Sequence, residues 1–166
     1  MNSKDLQILR MPDGYMIKVA GRANFEYGMP LRAFVRSLED DYGLVRIDLK
    51  ECVAMDSTFM GILAMLGLKS KKNNSPIEIV NSSEYTQSLL KSLGLTNLFH
   101  FVEGEYPPGT GETFAADGPQ DMLETAETVV EAHKTLVDAD AANQEKFKEV
   151  INYAEKDLKK LKEQDQ

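Results

Sequence analysis

The chain has 166 residues, of which 42% are hydrophobic and 28% charged, and its formal net charge is −8. This is the composition of a folded domain with a core, which excludes a disordered chain and a disulfide scaffold. One cysteine (Cys52) and two histidines (His100 and His133) leave no internal disulfide and no zinc cluster, and the acidic balance argues against nucleic acid or an anionic membrane as partner.

No apolar run approaches the roughly 18 residues of a membrane span, and Met1-Asn2-Ser3-Lys4-Asp5 has no charged-then-apolar leader pattern. A cytoplasmic protein without metal or cofactor is the expectation.

Leu6 to Arg10 and Tyr15 to Ala20 are short apolar-rich runs on either side of Met11-Pro12-Asp13-Gly14, a turn signal, and they predict a hairpin. After Gly21, the stretch Met29 to Leu38 sets Leu31, Phe34, Val35 and Leu38 on one helical face and Arg32, Arg36 and Glu39 on the other. Leu44 to Leu49 reads as a strand buried in a sheet.

Residues 57–72 form a helix with almost no polar face, so it must be largely buried, and its Lys69-Ser70-Lys71-Lys72 end reads as solvated cations at the negative end of the helix dipole. Pro76 to Val80 is a further strand. Ser82 or Ser83 caps a helix over Glu84 to Leu93, Gly94 ends it, and Phe99 to Val102 is the last strand. Strand-helix-strand units with short connections demand parallel pairing. Residues 1–103 therefore predict an α/β domain: a mixed, mostly parallel sheet of about five strands with helices packed on it.

From Gly104 to Gln120 the apolar periodicity stops, and Pro107, Pro108, Gly109, Gly111, Gly118 and Pro119 read as a linker. In residues 121–166, Leu123, Val130, Val137, Ile151 and Leu158 keep a heptad-like spacing that His133, Asp140 and Gln144 interrupt. One long helix and a helix hairpin both fit this extension. Residues 1–105 carry a net charge of −1 and residues 106–166 carry −7, so nearly all the acidity lies in the last third.

Neither histidine has a local context suggesting a catalytic base, and no phosphate-cradling glycine loop follows a strand, so a non-enzymatic protein is expected. Cys52 reads as a small buried hydrophobe, and Met55, Met60 and Met65 as core filling. The local feature that stands out is Val53-Ala54-Met55-Asp56-Ser57-Thr58-Phe59-Met60-Gly61, which delivers small polar residues to a helix N-terminus. Asp56 or Ser57 caps that helix on one reading. On the other, the free amides and the dipole accept a dianionic group on Ser57. The two are compatible.

Asp48-Leu49 with Met55 to Gly61, the Gly21-Arg22-Ala23-Asn24 loop and the ending Gly94-Leu95-Thr96-Asn97-Leu98-Phe99 together resemble the STAS domain of anti-sigma factor antagonists, over about residues 5 to 103. The resemblance implies a STAS-like sheet and phosphorylation of Ser57, with Thr58 as a second acceptor. It implies a docking face of Asn24, Phe25, Asp56, Ser57, Thr58 and Met60 for a serine/threonine kinase or anti-sigma factor, and a metal-dependent serine phosphatase as the opposing partner. Phe59 stands where many members have glycine. The alternative is a constitutive scaffold that forms a homo-oligomer through its C-terminal helices.

Overall fold

Pro12 and Asp13 turn β1 (Asp5–Met11) back on β2 (Gly14–Val19) in the computed structural model, which describes residues 5–115 and 121–164. Gly14 is required at this corner: its φ is 148°, and any Cβ would collide with the Leu44 backbone. The sheet then grows by parallel pairing, β2 to β4 (Leu44–Asp48), β4 to β6 (Ile77–Val80) and β6 to β7 (His100–Val102). With β8 (Thr110–Ala115) antiparallel to β1, the order is β7-β6-β4-β2-β1-β8. The expected fold class, a mixed and mostly parallel α/β sheet with packed helices and a helical extension, is the one observed.

Strand alternation separates the two faces of the sheet. Ile17, Val19, Val45, Ile47, Ile77 and Ile79 are buried in the core, which they share with Leu31 and Val35 of α1 (Phe25–Ser37) and with Phe59, Ile62, Leu63 and Leu66 of α2 (Ser57–Lys72). On the alternate positions Arg46 reaches Asp13 at 2.9 Å and Glu78 at 3.3 Å, and its guanidinium lies 4.6 Å from the centre of the Tyr106 ring. That stacking anchors the segment leading into β8 across the outer face of the sheet.

Several elements differ from expectation. α1 begins at Phe25 rather than Met29, because Asn24 caps it by accepting from the Glu26 amide at 2.9 Å, and Pro30 is accommodated inside the helix. Two short strands not foreseen, β3 (Gly21–Ala23) and β5 (Cys52–Met55), form a separate parallel pair. Residues 104–120 are not a bare linker, since Thr110 to Ala115 pair with Asp5 to Arg10 of β1. Gly118 and Pro119 lie outside the described residues.

Lys69 is not a solvated cation. Its ammonium donates to the Val35 and Leu38 carbonyls at 3.0 and 2.7 Å and satisfies the open C-terminal end of α1. α3 (Glu84–Ser92) starts at Ser83 with a reciprocal capping box to Thr86, and Gly94 follows its end at φ 70°.

The extension is a helix hairpin, α4 (Met122–Ala139) and α5 (Asn143–Gln164). Of its heptad-like positions Val130 is buried and Leu123, Val137, Ile151 and Leu158 are half-buried, and Lys134 pairs with Glu155 at 3.3 Å. α4 also lies along α2 and touches α1. No helix among the described residues is long and apolar enough to cross a membrane.

Candidate functional site

The site is set by the β3–β5 pair. These two strands run parallel with Ala23 opposite Met55, and each leads directly into a helix, so α1 and α2 start side by side. The Asp56 amide donates to the Ala23 carbonyl at 2.9 Å and ties the two connections together. One carboxylate then serves both helices: Asp56 accepts from the Phe59 amide at 2.8 Å, capping α2, and from the Phe25 amide at 3.0 Å, at the start of α1. Burial, the largest influence, raises the Asp56 carboxyl above its ordinary 3.8, opposed by the amide bonds from Phe59 and Phe25 and by the nearby His133.

Ser57 is the first residue of α2 and is half-buried. Its hydroxyl lies 2.8 Å from Nε2 of His133 on α4, 76 residues away in sequence. His133 Nδ1 sits 2.7 Å from the Val129 carbonyl, which can only accept, so Nδ1 carries a proton, and in that tautomer Nε2 is the atom that accepts the Ser57 hydroxyl. The imidazole is 2% exposed and meets the Phe147 ring edge-on at 5.0 Å.

The other expected site residues divide in two. Asn24, Phe25, Asp56 and Ser57 are brought together at the paired helix starts, all half-buried. Thr58 and Met60 are each 5% exposed and face inward. The Thr58 methyl packs where α1, α2 and α4 converge, close to Gly28 and the Thr128 methyl. Sequence reasoning missed His133. The available signal was a polar residue interrupting the apolar seam of α4, which calls for a polar partner on the element that seam packs against.

Two of the solved structures that resemble this chain show the kind of likeness. One is that of a sulfate transporter family protein from Wolinella succinogenes, at 13% identity and a TM-score of 0.48 over 52% of this chain and 74% of that one. The other is that of the anti-sigma factor antagonist SpoIIAA in its unphosphorylated form, at 10% identity and a TM-score of 0.48 over 61% of this chain and 89% of that one. No family model and no curated protein sequence matches the chain.

Cys52 is buried at the start of β5 and donates to the Ala54 carbonyl at 3.4 Å. Burial pushes its thiol up to about 11, outweighing that bond. Native Cys52 is expected to react with iodoacetamide about 100-fold or more slowly than the denatured chain near pH 8, because little thiolate exists and access is closed. Equal rates in a thiol-labelling time course would contradict this environment.

Proposed function

We propose that the chain is a phosphorylation-controlled partner-switching protein of the anti-sigma factor antagonist type, acting in the cytoplasm. Unmodified, it binds a serine/threonine kinase or anti-sigma factor through the face that begins at Asn24, Phe25, Asp56 and Ser57. Phosphorylated on Ser57, it releases that partner, and a metal-dependent serine phosphatase resets it. Thr58 is the weaker acceptor because it is buried.

The observation that carries this reading is the position of the half-buried Ser57 hydroxyl in the first turn of α2, beside the start of α1, where the positive ends of two helix dipoles favour added negative charge. Ser57 and His133 are spaced as a nucleophile and base would be. The imidazole, however, is 2% exposed and its Nδ1 rests on the Val129 backbone carbonyl rather than on an orienting carboxylate, which favours a modified residue over a catalytic one.

Intact-mass and peptide mapping of the protein from its own cells tests the reading. A phosphoform mapping to Ser57, removed by a metal-dependent serine phosphatase and absent in Ser57→Ala, is expected. No phosphoform under any growth condition would overturn it. The scaffold alternative rests on the heptad-like seam, whose two helices already pack against each other within the chain.

A further inference from the structure

We infer that the α4–α5 hairpin is a built-in occupant of the Ser57 face, and that the docked hairpin and a phosphoryl group on Ser57 exclude one another. This rests on the reading of Ser57 as the modified residue and names how that residue is regulated.

The hairpin is fastened at three separate places around Ser57. At the helix start, His133 receives the Ser57 hydroxyl. One turn on, Gly61 lets the Ala132 backbone of α4 come so close that a Cβ on Gly61 would collide with its carbonyl oxygen and lie 2.7 Å from its Cβ. On the α1 side Arg32, 7% exposed, donates to Glu131 at 2.6 Å, with Glu127 at 3.8 Å.

At the far end, the turn between α4 and α5 completes α3. Asn143, fully buried, donates to the Leu93 and Leu136 carbonyls at 2.9 and 2.8 Å, and Lys146 donates to the Ser92 carbonyl at 2.6 Å. α4 therefore covers the Ser57 side of the paired helix starts, so a partner of the unmodified protein competes with the hairpin for that face, and a phosphoryl group on Ser57 excludes both.

The chemistry under the docked hairpin suits a hydroxyl and not a phosphate. Phosphorylation adds about −1.5 to −2 charge and three acceptor oxygens that seek donors. Across from Ser57 they would meet Nε2 of His133, which in the tautomer with its proton on Nδ1 against Val129 offers a lone pair and no donor. Beside them is the Asp56 carboxylate, whose two oxygens already engage the Phe59 and Phe25 amides. Burying that charge without donors costs more than the single hydroxyl bond it replaces. Undocking frees the paired helix starts for the phosphate and for solvent. By linkage, whatever the phosphate costs the docked state, docking costs phosphorylation by the same factor.

The test uses the full chain with phosphoserine inserted at position 57 during translation, so its outcome does not depend on whether any kinase modifies Ser57. Amide hydrogen exchange is compared between the Ser57 and phosphoserine forms. Exchange across Val129 to Leu136 is expected to speed up by about tenfold or more with phosphoserine while β4 and β6 stay protected. Unchanged or slower exchange in α4 would overturn the inference, the slower case meaning that a protonated His133 clamps the phosphate. Joint loss of protection in α4, β4 and β6 would also overturn it, because the hairpin would then be inseparable from the fold.

Discussion

Replacing Gly61 with leucine is expected to lift α4 from α2 while leaving the sheet folded. Gly61 is fully interior to the α2–α4 contact, and the atoms opposing a side chain there are the Ala132 carbonyl and Cβ, which belong to another helix's backbone and cannot swing aside. The α-helical preference of leucine over glycine returns about 1 kcal/mol. Overpacking of a tight contact costs about 3 kcal/mol, and the four-carbon side chain has no cavity to enter. The expected loss is therefore about 2 kcal/mol net, seen as a lower urea midpoint and as new protease cutting in the α4–α5 turn at Asp140 to Ala142. A Gly61→Leu chain with native stability and an uncut turn would refute the close approach of these helices.

Removing the shared cap is the second large effect. Asp56→Ala strands two amide donors, one at the start of each helix, and is expected to destabilise the protein by about 2 to 3 kcal/mol. Asparagine is no substitute, because its NH2 group would face one of those two donors. The pH dependence has a definite sign. With its folded carboxyl above 3.8, Asp56 binds its proton more tightly in the native than in the unfolded state, so its contribution to stability falls as pH rises from 3.8 through the raised value. The deficit of Asp56→Ala should accordingly be larger near pH 4 than near pH 7 in urea unfolding. A deficit that shrinks on acidification would mean that the amide bonds, and not burial, dominate at Asp56.

The parts of this fold that were legible in the sequence have local causes. α2 was read with its bounds of 57–72 because an all-round apolar helix behind an Asp-Ser cap has few other solutions. α3 was read from Ser83 and Gly94. What escaped depends on distant partners. β8 is a short run between glycines and prolines, and it becomes a strand only because β1, about a hundred residues earlier in the chain, offers it an edge. β3 and β5 stabilise each other and carry little pattern singly. At the site, Asp56 and Ser57 were visible as helix-start residues and Asn24 only as a loop residue, whereas their closure by His133 needed the packing of α4 on α2. Lys69 was misjudged for the same reason: a cation run looks solvated until another helix's carbonyls are placed beside it.

β8 also changes how the protein can be divided. It pairs with Asp5 to Arg10 of β1, so a fragment ending near residue 103 would carry a bare strand border with its amides and carbonyls unpaired. It would also leave Leu93 and Ser92 without the groups that close α3. Such a fragment would tend to stick to itself through that border, and any clumping it showed would report a wound made by the cut rather than a property of the intact molecule. Function at Ser57 is best pursued in the uncut chain, where strand, hairpin and helix starts hold one another in place.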